Sequence, residues 1–167
     1  MPHPHLLLLF ALPGLNLLSS PELGNGQQDT PPLPEVNAAV LAFVDKTMGQ
    51  RVGSGECWDL AAEALNAAGA RWDGRYDFGT VVDTSQGTVL PGDIVQFKDV
   101  RVRIEEADRI IVERMDHHTA IVHAVHAPGR YTLAHQNFGP AGRKVGLADL
   151  DATNVVNGTI TIYRPQR

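Results

Sequence analysis

The spacing of apolar residues changes near Leu90, and this change limits the folds that the chain can adopt. Before it, apolar residues recur at helical spacing in two segments, 35–48 and 57–68, each followed by a glycine. After it, short runs rich in Val, Ile and Thr are separated by Gly- and Pro-containing turns. Helices followed by antiparallel strands predict an α+β domain, with N-terminal helices packed on an antiparallel sheet.

The predicted strands are short and occupy most of the second half of the chain. They are 94–97, 100–104, 110–112, 118–125, 131–138 and 158–163, with a helical turn at 147–150. Residues 127–130 are expected to form a hairpin turn. The runs 100–104 and 110–112 are expected to form a short strand pair or a lid, so that the insertion around them could cap a cleft.

Composition divides the chain into three predicted parts. Residues 1–20 hold an apolar stretch that is long enough for a signal peptide and too short to span a membrane comfortably. Residues 21–34 are rich in Pro, Gly and Gln, as in a linker, so the folded domain is predicted at 35–167. We expect a secreted or cell-envelope location. The alternative is an apolar segment that stays attached, because no basic residue precedes the stretch and no clear cleavage site follows it.

Charge and cysteine content narrow the classes of partner. The net charge is −5 and no run of Lys or Arg occurs, which disfavours nucleic acid and anionic membranes as partners. An apolar content of 43% with 20% charged residues is typical of a globular chain that can bury a core, so no stable membrane insertion of the domain is expected. The single cysteine, Cys57, rules out an intramolecular disulfide.

Cys57 lies where a glycine-rich loop, Gly53-Ser54-Gly55, runs into the second predicted helix. The dipole and free N–H groups at a helix N-terminus stabilise a thiolate, so this is a favourable position for a nucleophile. A free cysteine also packs well as a small apolar residue, and this stretch alone does not separate the two roles.

Polar residues near the predicted hairpin favour the chemical role. A tight turn makes Ala120 face Asn137 and Val122 face His135. Since alternate strand residues share a face, His118, His135 and Asn137 are predicted on one side of the sheet. A thiol, a histidine that takes its proton and a polar residue that orients this histidine are the parts of a Cys–His relay. The predicted register puts Asn137 nearer to His118 than His135, and the residues alone leave the orienting residue open between the two.

Four segments resemble, in order, the motifs of papain-like cysteine peptidases. They are 55–58, which resembles the nucleophile segment; 91–97, which is similar to a Gly-Asp-apolar strand; 118–122, which resembles the strand that begins with the catalytic histidine; and His135-Gln136-Asn137. The last segment resembles the Glu-x-Asn of CHAP amidases with His in place of Glu, and NlpC-type peptidases commonly use His at this point. The resemblance covers residues 50–163.

The resemblance implies a papain-like (NlpC/CHAP-type) fold and a cysteine-dependent amide hydrolase without a cofactor. Cys57 would form a thioester, and His118 would act as base and then as acid. His135 or Asn137 would orient His118; the family position slightly favours His135, with Asn137 assisting. Candidates for the oxyanion hole or the cleft are Gln50, Glu56 and Trp58. The implied substrate is a peptide or a peptidoglycan-like amide; transfer instead of hydrolysis and the oligomeric state stay open.

Two other interpretations compete with the hydrolase. Cys57 and the histidines at 117, 118, 123, 126 and 135 offer donors for a metal, but no established zinc-binding spacing occurs. The second alternative is a catalytically inactive binding module on the same fold.

Overall fold

The structure, a computed structural model, describes residues 32–86 and 88–167. The predicted apolar segment lies outside these residues, as does most of the predicted linker, and both stay predictions. Among the helices that the structure describes, none is long and apolar enough to cross a membrane.

Two helices precede the sheet, and both end within one residue of their predicted positions. Helix α1 spans Glu35–Thr47 and helix α2 spans Cys57–Ala67. The six strands are β1 (Thr80–Val81), β2 (Ile94–Glu105), β3 (Ile110–Ala127), β4 (Arg130–His135), β5 (Gly146–Asp151) and β6 (Val155–Arg164). They form one antiparallel sheet in the order β1-β6-β2-β3-β4-β5, so the predicted α+β class is confirmed.

One predicted element is larger than expected, and another is wrong. The runs 100–104 and 110–112 are paired strands, as predicted, but they form no separate unit or lid. They continue β2 and β3, because the pairing of these strands extends to Glu105 and Ile110. Residues 147–150 do not form a helical turn. They belong to β5, because pairing with β4 gives their backbone groups more hydrogen bonds than one helical turn provides.

The sheet separates two apolar cores, because successive strand residues point to opposite faces. The helix-side core joins α1 and α2 to one face and includes Val40, Val44, Leu60, Leu65, Ile94 and Ile121. The far-side core covers the other face and includes Val95, Phe97, Val122, Leu133 and Ile162. Each of these side chains contributes about 1.5–3 kcal/mol through its burial, so the sheet is stabilised from both sides.

Asp93 fixes the entry into β2. Its fully buried carboxylate accepts hydrogen bonds from Asn37 Nδ2 and Leu90 N, both at 2.8 Å, and from Arg164 Nη2 at 2.9 Å. The preceding Gly92 has φ +85°, and a Cβ there would lie 2.4 Å from the Asn37 carbonyl oxygen. Gly92 therefore leaves room for the Asn37 backbone that a side chain would occupy, and Asp93 anchors the start of β2 to α1 and β6.

The register of the β3–β4 hairpin differs from the predicted one. Ala127 pairs with Arg130, as a tight turn requires, but Val122 pairs with Leu133 and not with His135. Two register irregularities in β3 lie between these pairs, and each adds one residue to β3 that has no partner in β4. The predicted facing pairs are therefore wrong by two residues.

The two shifts decide which site residues meet. Because they add up to two residues, His118 and His135 keep the same face of the sheet. His135 also moves two positions toward His118, to the place that the predicted register gave to Asn137. Asn137 lies beyond the end of β4 with φ +56°, so the prediction that it shares the face of His118 on the strand is wrong.

Candidate active site

His118 and His135 form a buried, hydrogen-bonded pair on the far-side face of the sheet. His118 Nε2 lies 2.8 Å from His135 Nδ1, and the two rings stack with centroids 5.0 Å apart. The Phe138 ring stacks on the His135 ring with centroids 4.6 Å apart, and the centroids of the Phe97 and His118 rings are 5.9 Å apart. Aromatic side chains therefore fix both rings and keep water away from them.

The hydrogen bond between the rings limits their tautomers. When His118 Nε2–H donates to His135 Nδ1, the Nδ1 atom of His118 carries a lone pair. The opposite assignment puts the proton of neutral His118 on Nδ1 and removes that lone pair. Within residues 32–86 and 88–167, no hydrogen bond occupies His118 Nδ1. The first tautomer therefore makes His118 a base with one nitrogen held and the other available.

Burial keeps both rings neutral. It lowers the pKa of His118 from 6.5 to about 4. Burial first, and then the charge of a protonated His118, lower the pKa of His135 from 6.5 to about 3. An imidazolium is disfavoured here because the apolar surroundings do not solvate it. At neutral pH the pair is therefore uncharged.

We expect the free energy of unfolding to fall as the pH is lowered from 6.5 toward 4. In this window the unfolded chain, with histidine pKa values near 6.5, binds protons that folded His118 and His135 do not bind. Each histidine lowers the stability by at most about 1.4 kcal/mol per pH unit. Urea unfolding at several pH values measures the slope. A His118→Gln/His135→Gln double variant should lose most of it, and His126→Gln should keep it; a slope that the double variant leaves unchanged contradicts the assignment.

A buried glutamine ties the start of α2 to the end of β4. Gln136 Nε2 donates to the carbonyl oxygens of Val52 and Glu56, both at 2.9 Å, and Gln136 Oε1 accepts from Val52 N at 2.8 Å. Gln136 directly follows His135, and Glu56 directly precedes Cys57. The contact therefore brings the first turn of the helix that carries Cys57 to the strand end that carries His135.

Asp59 closes the glycine-rich loop on the same helix start. Its Oδ2 accepts from Ser54 N at 2.8 Å, from the Ser54 hydroxyl at 2.6 Å and from Glu56 N at 3.2 Å. Burial raises the pKa of Asp59, but hydrogen bonds from Ser54 and from backbone N–H groups outweigh it and lower the pKa overall. A carboxylate therefore holds the loop before Cys57 in one conformation.

The Glu56 carboxylate has two side-chain partners, of which Arg143 is a cation. Its carboxylate accepts from Asn137 Nδ2 and from Arg143 Nη2, both at 2.7 Å, and Arg143 also donates to Ser54 O at 2.8 Å. Asn137 thus holds Glu56, while His135 holds His118. Of the two candidates for the orienting residue, His135 is the one that is hydrogen-bonded to His118.

Gln50 and Trp58 have partners of a different kind. The exposed Gln50 donates its side-chain amide to Lys46 O at 3.0 Å, which places it at the end of α1 and gives no support to the predicted oxyanion role. Trp58 donates to Arg75 O at 2.6 Å, and its ring lies 5.7 Å from Trp72. Trp58, the residue after Cys57, is therefore packed against the helix-side core.

Cys57 is partly buried and is the first residue of α2. Its sulfur forms no hydrogen bond to His118 within the described residues. The Gln136 side chain nevertheless connects Glu56, at the start of α2, to the end of β4. In the same part of the chain, no three His, Cys, Asp or Glu side chains gather as metal ligands. The role of Gln136 was not predicted from the sequence. The only sequence signal was a polar residue between the candidates His135 and Asn137, on the face of the predicted strand opposite to theirs.

Comparisons with known proteins place this geometry in a wider context. A family model described as "AIM3/BBC1 Cysteine proteinase-fold domain" matches residues 34–167. The crystal structure of Ly7917 has a TM-score of 0.47 at 20% identity, covering 76% of this chain and 62% of that one. The crystal structure of Ly7917 with the hydrolyzing product of MDP has a TM-score of 0.49 at 21% identity, covering 77% and 62%. The chain thus spans less than two thirds of the length of these proteins. No curated protein sequence matches it.

Proposed function

The chain belongs to the AIM3/BBC1 cysteine proteinase-fold domain family, and on that premise we propose that it is a cysteine-dependent amide hydrolase. The observation that carries the proposal is the 2.8 Å hydrogen bond between His118 and His135 near the start of the Cys57 helix. A general base needs a nitrogen that is free to take a proton and a ring that cannot rotate. His118 has both, because its Nδ1 atom is free and its ring is held by the hydrogen bond to His135.

In the proposed reaction, Cys57 Sγ attacks the carbonyl carbon of the substrate amide and passes its proton to His118 Nδ1. The tetrahedral intermediate collapses when His118 gives that proton to the leaving nitrogen and the C–N bond breaks, which leaves a thioester on Cys57. Water then attacks the thioester, and His118 takes a proton from the water. The thiolate leaves and regains a proton, and the carboxylic acid product is released.

His135 has the role of the orienting residue. Its Nδ1 lone pair accepts from His118 Nε2–H in every step, so the free nitrogen of His118 faces the reaction. Because burial lowers the pKa of His118 to about 4, the imidazolium is a short-lived state that returns its proton readily.

The oxyanion would be held at the start of α2. The N–H groups of the first helical turn have no carbonyl partner inside the helix, and the Cys57 N–H is one of them. Contact between Cys57 Sγ and His118 Nδ1 is part of the proposal. Catalytic hydrogen bonds are often long before substrate binds and tighten in the complex.

The substrate class and the location are finer parts of the proposal. A peptide or peptidoglycan-like amide, and a secreted or cell-envelope location, are supported by the motif resemblance and by the apolar N-terminal segment. Transfer of the acyl group to an amine would use the same thioester.

A binding module without activity is the second candidate. The observation that favours it is the lack of a hydrogen bond between Cys57 and His118 within the described residues. In this case the His118–His135 pair would serve only to stabilise the end of the sheet.

The hydrolase is tested with a panel of peptidyl aminomethylcoumarin amides. We expect turnover that iodoacetamide blocks and that a chelator leaves intact. His135→Ala should lower kcat/KM by about 10²- to 10³-fold, because His118 loses its orientation. Asn137→Ala is the matched control and should lower it by less than about tenfold, because Arg143 still neutralises Glu56.

Three outcomes would contradict this account. No turnover of any amide by the wild-type chain would favour the binding module. Loss of activity with the chelator alone would favour a metal site. Equal losses in the His135→Ala and Asn137→Ala variants would show that His135 has no special role in orienting His118.

A further inference from the structure

Two arginines lie against the glycine-rich loop that precedes Cys57. A Cβ atom added at Gly55 would lie 3.0 Å from Arg51 Cδ and 3.0 Å from both Cβ and Nε of Arg143. Gly55 has φ +93°, so the loop needs a glycine here for its backbone as well as for the space. The two cationic side chains therefore meet above a residue that lies two positions before the proposed nucleophile.

Backbone pairing brings the two arginines together. Gly49 N donates to Val145 O at 2.9 Å, and Val145 N donates to Gln50 O at 2.8 Å. Arg51 directly follows the first of these segments, and Arg143 lies two residues before Val145 in the second. Main-chain hydrogen bonds thus hold the two segments that carry the arginines side by side.

Most of the guanidinium N–H groups of this pair are available to a ligand. Arg143 uses Nη2 alone for its contacts to Ser54 O and Glu56 Oε1, and its Nη1 and Nε form no hydrogen bond within the described residues. Arg51 is exposed and forms no ion pair in the same part of the chain. A guanidinium binds a carboxylate best through two parallel N–H···O hydrogen bonds, and Arg51 can supply both.

The carboxylates near the loop do not cancel all of the positive charge. Glu56 pairs with Arg143 at 2.7 Å, and Asp59 Oδ2 accepts hydrogen bonds from the backbone of the residues just before Cys57. Lys144, which is exposed, adds a third cation beside the two arginines. Three cationic side chains thus face two carboxylates at this loop, in a chain whose net charge is −5.

We propose that Arg51, with Arg143 beside it, binds a carboxylate of the substrate, so that the chain prefers acidic amides. This inference rests on the proposed hydrolase and names its substrate class: peptides with a carboxylate close to the scissile amide. Arg51 makes the bidentate contact, and the free nitrogens of Arg143 add a second donor group. Arg51 acts on substrate binding and not on the chemical step, because it does not touch the reacting atoms.

The charge beside Cys57 is measured first, without any turnover. Iodoacetate and iodoacetamide alkylate a thiolate by the same displacement of iodide, but only iodoacetate is an anion. With the full chain at low ionic strength, Arg51→Gln should lower the ratio of the two rate constants, iodoacetate over iodoacetamide, by about twofold to fourfold, the effect of one exposed charge near the thiol. Salt at 0.5 M should remove most of this difference.

Two further variants serve as controls for this ratio. Arg71→Gln removes an exposed positive charge beyond the other end of α2 and should leave the ratio as in the wild type. Arg51→Lys keeps the charge and should keep most of the ratio.

The substrate preference is measured with the N-acetylglutamyl and N-acetylglutaminyl amides of aminomethylcoumarin, which differ in charge and hardly in shape. The wild type should hydrolyse the glutamyl amide with a kcat/KM about fivefold to tenfold higher. Arg51→Gln should remove this preference by raising KM for the glutamyl amide, with kcat unchanged within about twofold. The glutaminyl amide should be hydrolysed as by the wild type.

The two measurements separate failure of this inference from failure of the hydrolase. An alkylation ratio that Arg51→Gln leaves unchanged, or that Arg71→Gln lowers equally, overturns the anion site even if amides are hydrolysed. No turnover of either amide, together with a ratio that depends on Arg51, contradicts the hydrolase and supports an anion site beside Cys57. Equal hydrolysis of the two amides by the wild type overturns the assignment of this site to the substrate. A urea unfolding curve for each variant shows whether the fold is kept.

Discussion

Replacing Cys57 with serine is expected to lower kcat/KM for amide substrates by about 10⁴-fold or more. Loss of the nucleophile in a relay of this type removes nearly all of the catalysis, because the other members act only through it. The fold should persist, with the free energy of unfolding within about 1 kcal/mol of the wild type. Cys57 is partly buried and forms no hydrogen bond within the described residues, so serine removes little packing.

Ala67→Ser is the matched control, because it adds a hydroxyl at the other end of the same helix. It should keep full activity. Kinetics and urea unfolding of both variants measure the two effects separately. A Cys57→Ser variant that keeps a tenth or more of the activity would show that Cys57 is not the nucleophile.

Replacing Gln136 with leucine is expected to destabilise the domain by about 2–4 kcal/mol. Leucine has a similar volume but leaves the Val52 N–H without its partner. The carbonyl oxygens of Val52 and Glu56 each lose one of two hydrogen bonds and keep those from Gly55 N and Asp59 N. Each unsatisfied buried group costs about 1–3 kcal/mol. The start of α2 would also lose its tie to β4, so the folded fraction should lose activity beyond its loss in population.

Gln50→Leu is the control for Gln136→Leu, since Gln50 is exposed and makes one side-chain hydrogen bond, to Lys46 O. It should cost less than about 1 kcal/mol. Urea unfolding of the full chain gives both values. A Gln136→Leu variant within about 1 kcal/mol of the wild type would mean that other contacts hold the loop before Cys57.

The fold was predictable where a residue pattern repeats. Both helices end where predicted, because valines, leucines and alanines recur at helical spacing and Gly49 and Gly69 follow them. The bulges in β3 were not predictable, since no glycine or proline marks them. The true extent of β5 was hidden as well, because a short run such as 147–150 suits a helical turn equally well until pairing with β4 decides.

The candidate site was predictable in its members and not in their contacts. The alternation of side chains along a strand is enough to place His118 and His135 on one face of the sheet. The two register irregularities in β3 leave that result unchanged, because together they add two residues. The separate contact of Asn137 depends on a backbone turn after β4 and on Glu56, 81 residues away in the sequence, neither of which local sequence indicates. The buried contacts of Gln136 depend on how the loop before Cys57 packs, which is a tertiary property.

The reaction of Cys57 with iodoacetamide, followed by mass spectrometry, tests the central claim that His118 activates this thiol. The rate constant is measured at pH 7 for the wild type, for His118→Ala and for an unstructured cysteine peptide. The account predicts that the wild type reacts at least about tenfold faster than the peptide and that His118→Ala loses this advantage. Equal rates in the wild type, the variant and the peptide would contradict it.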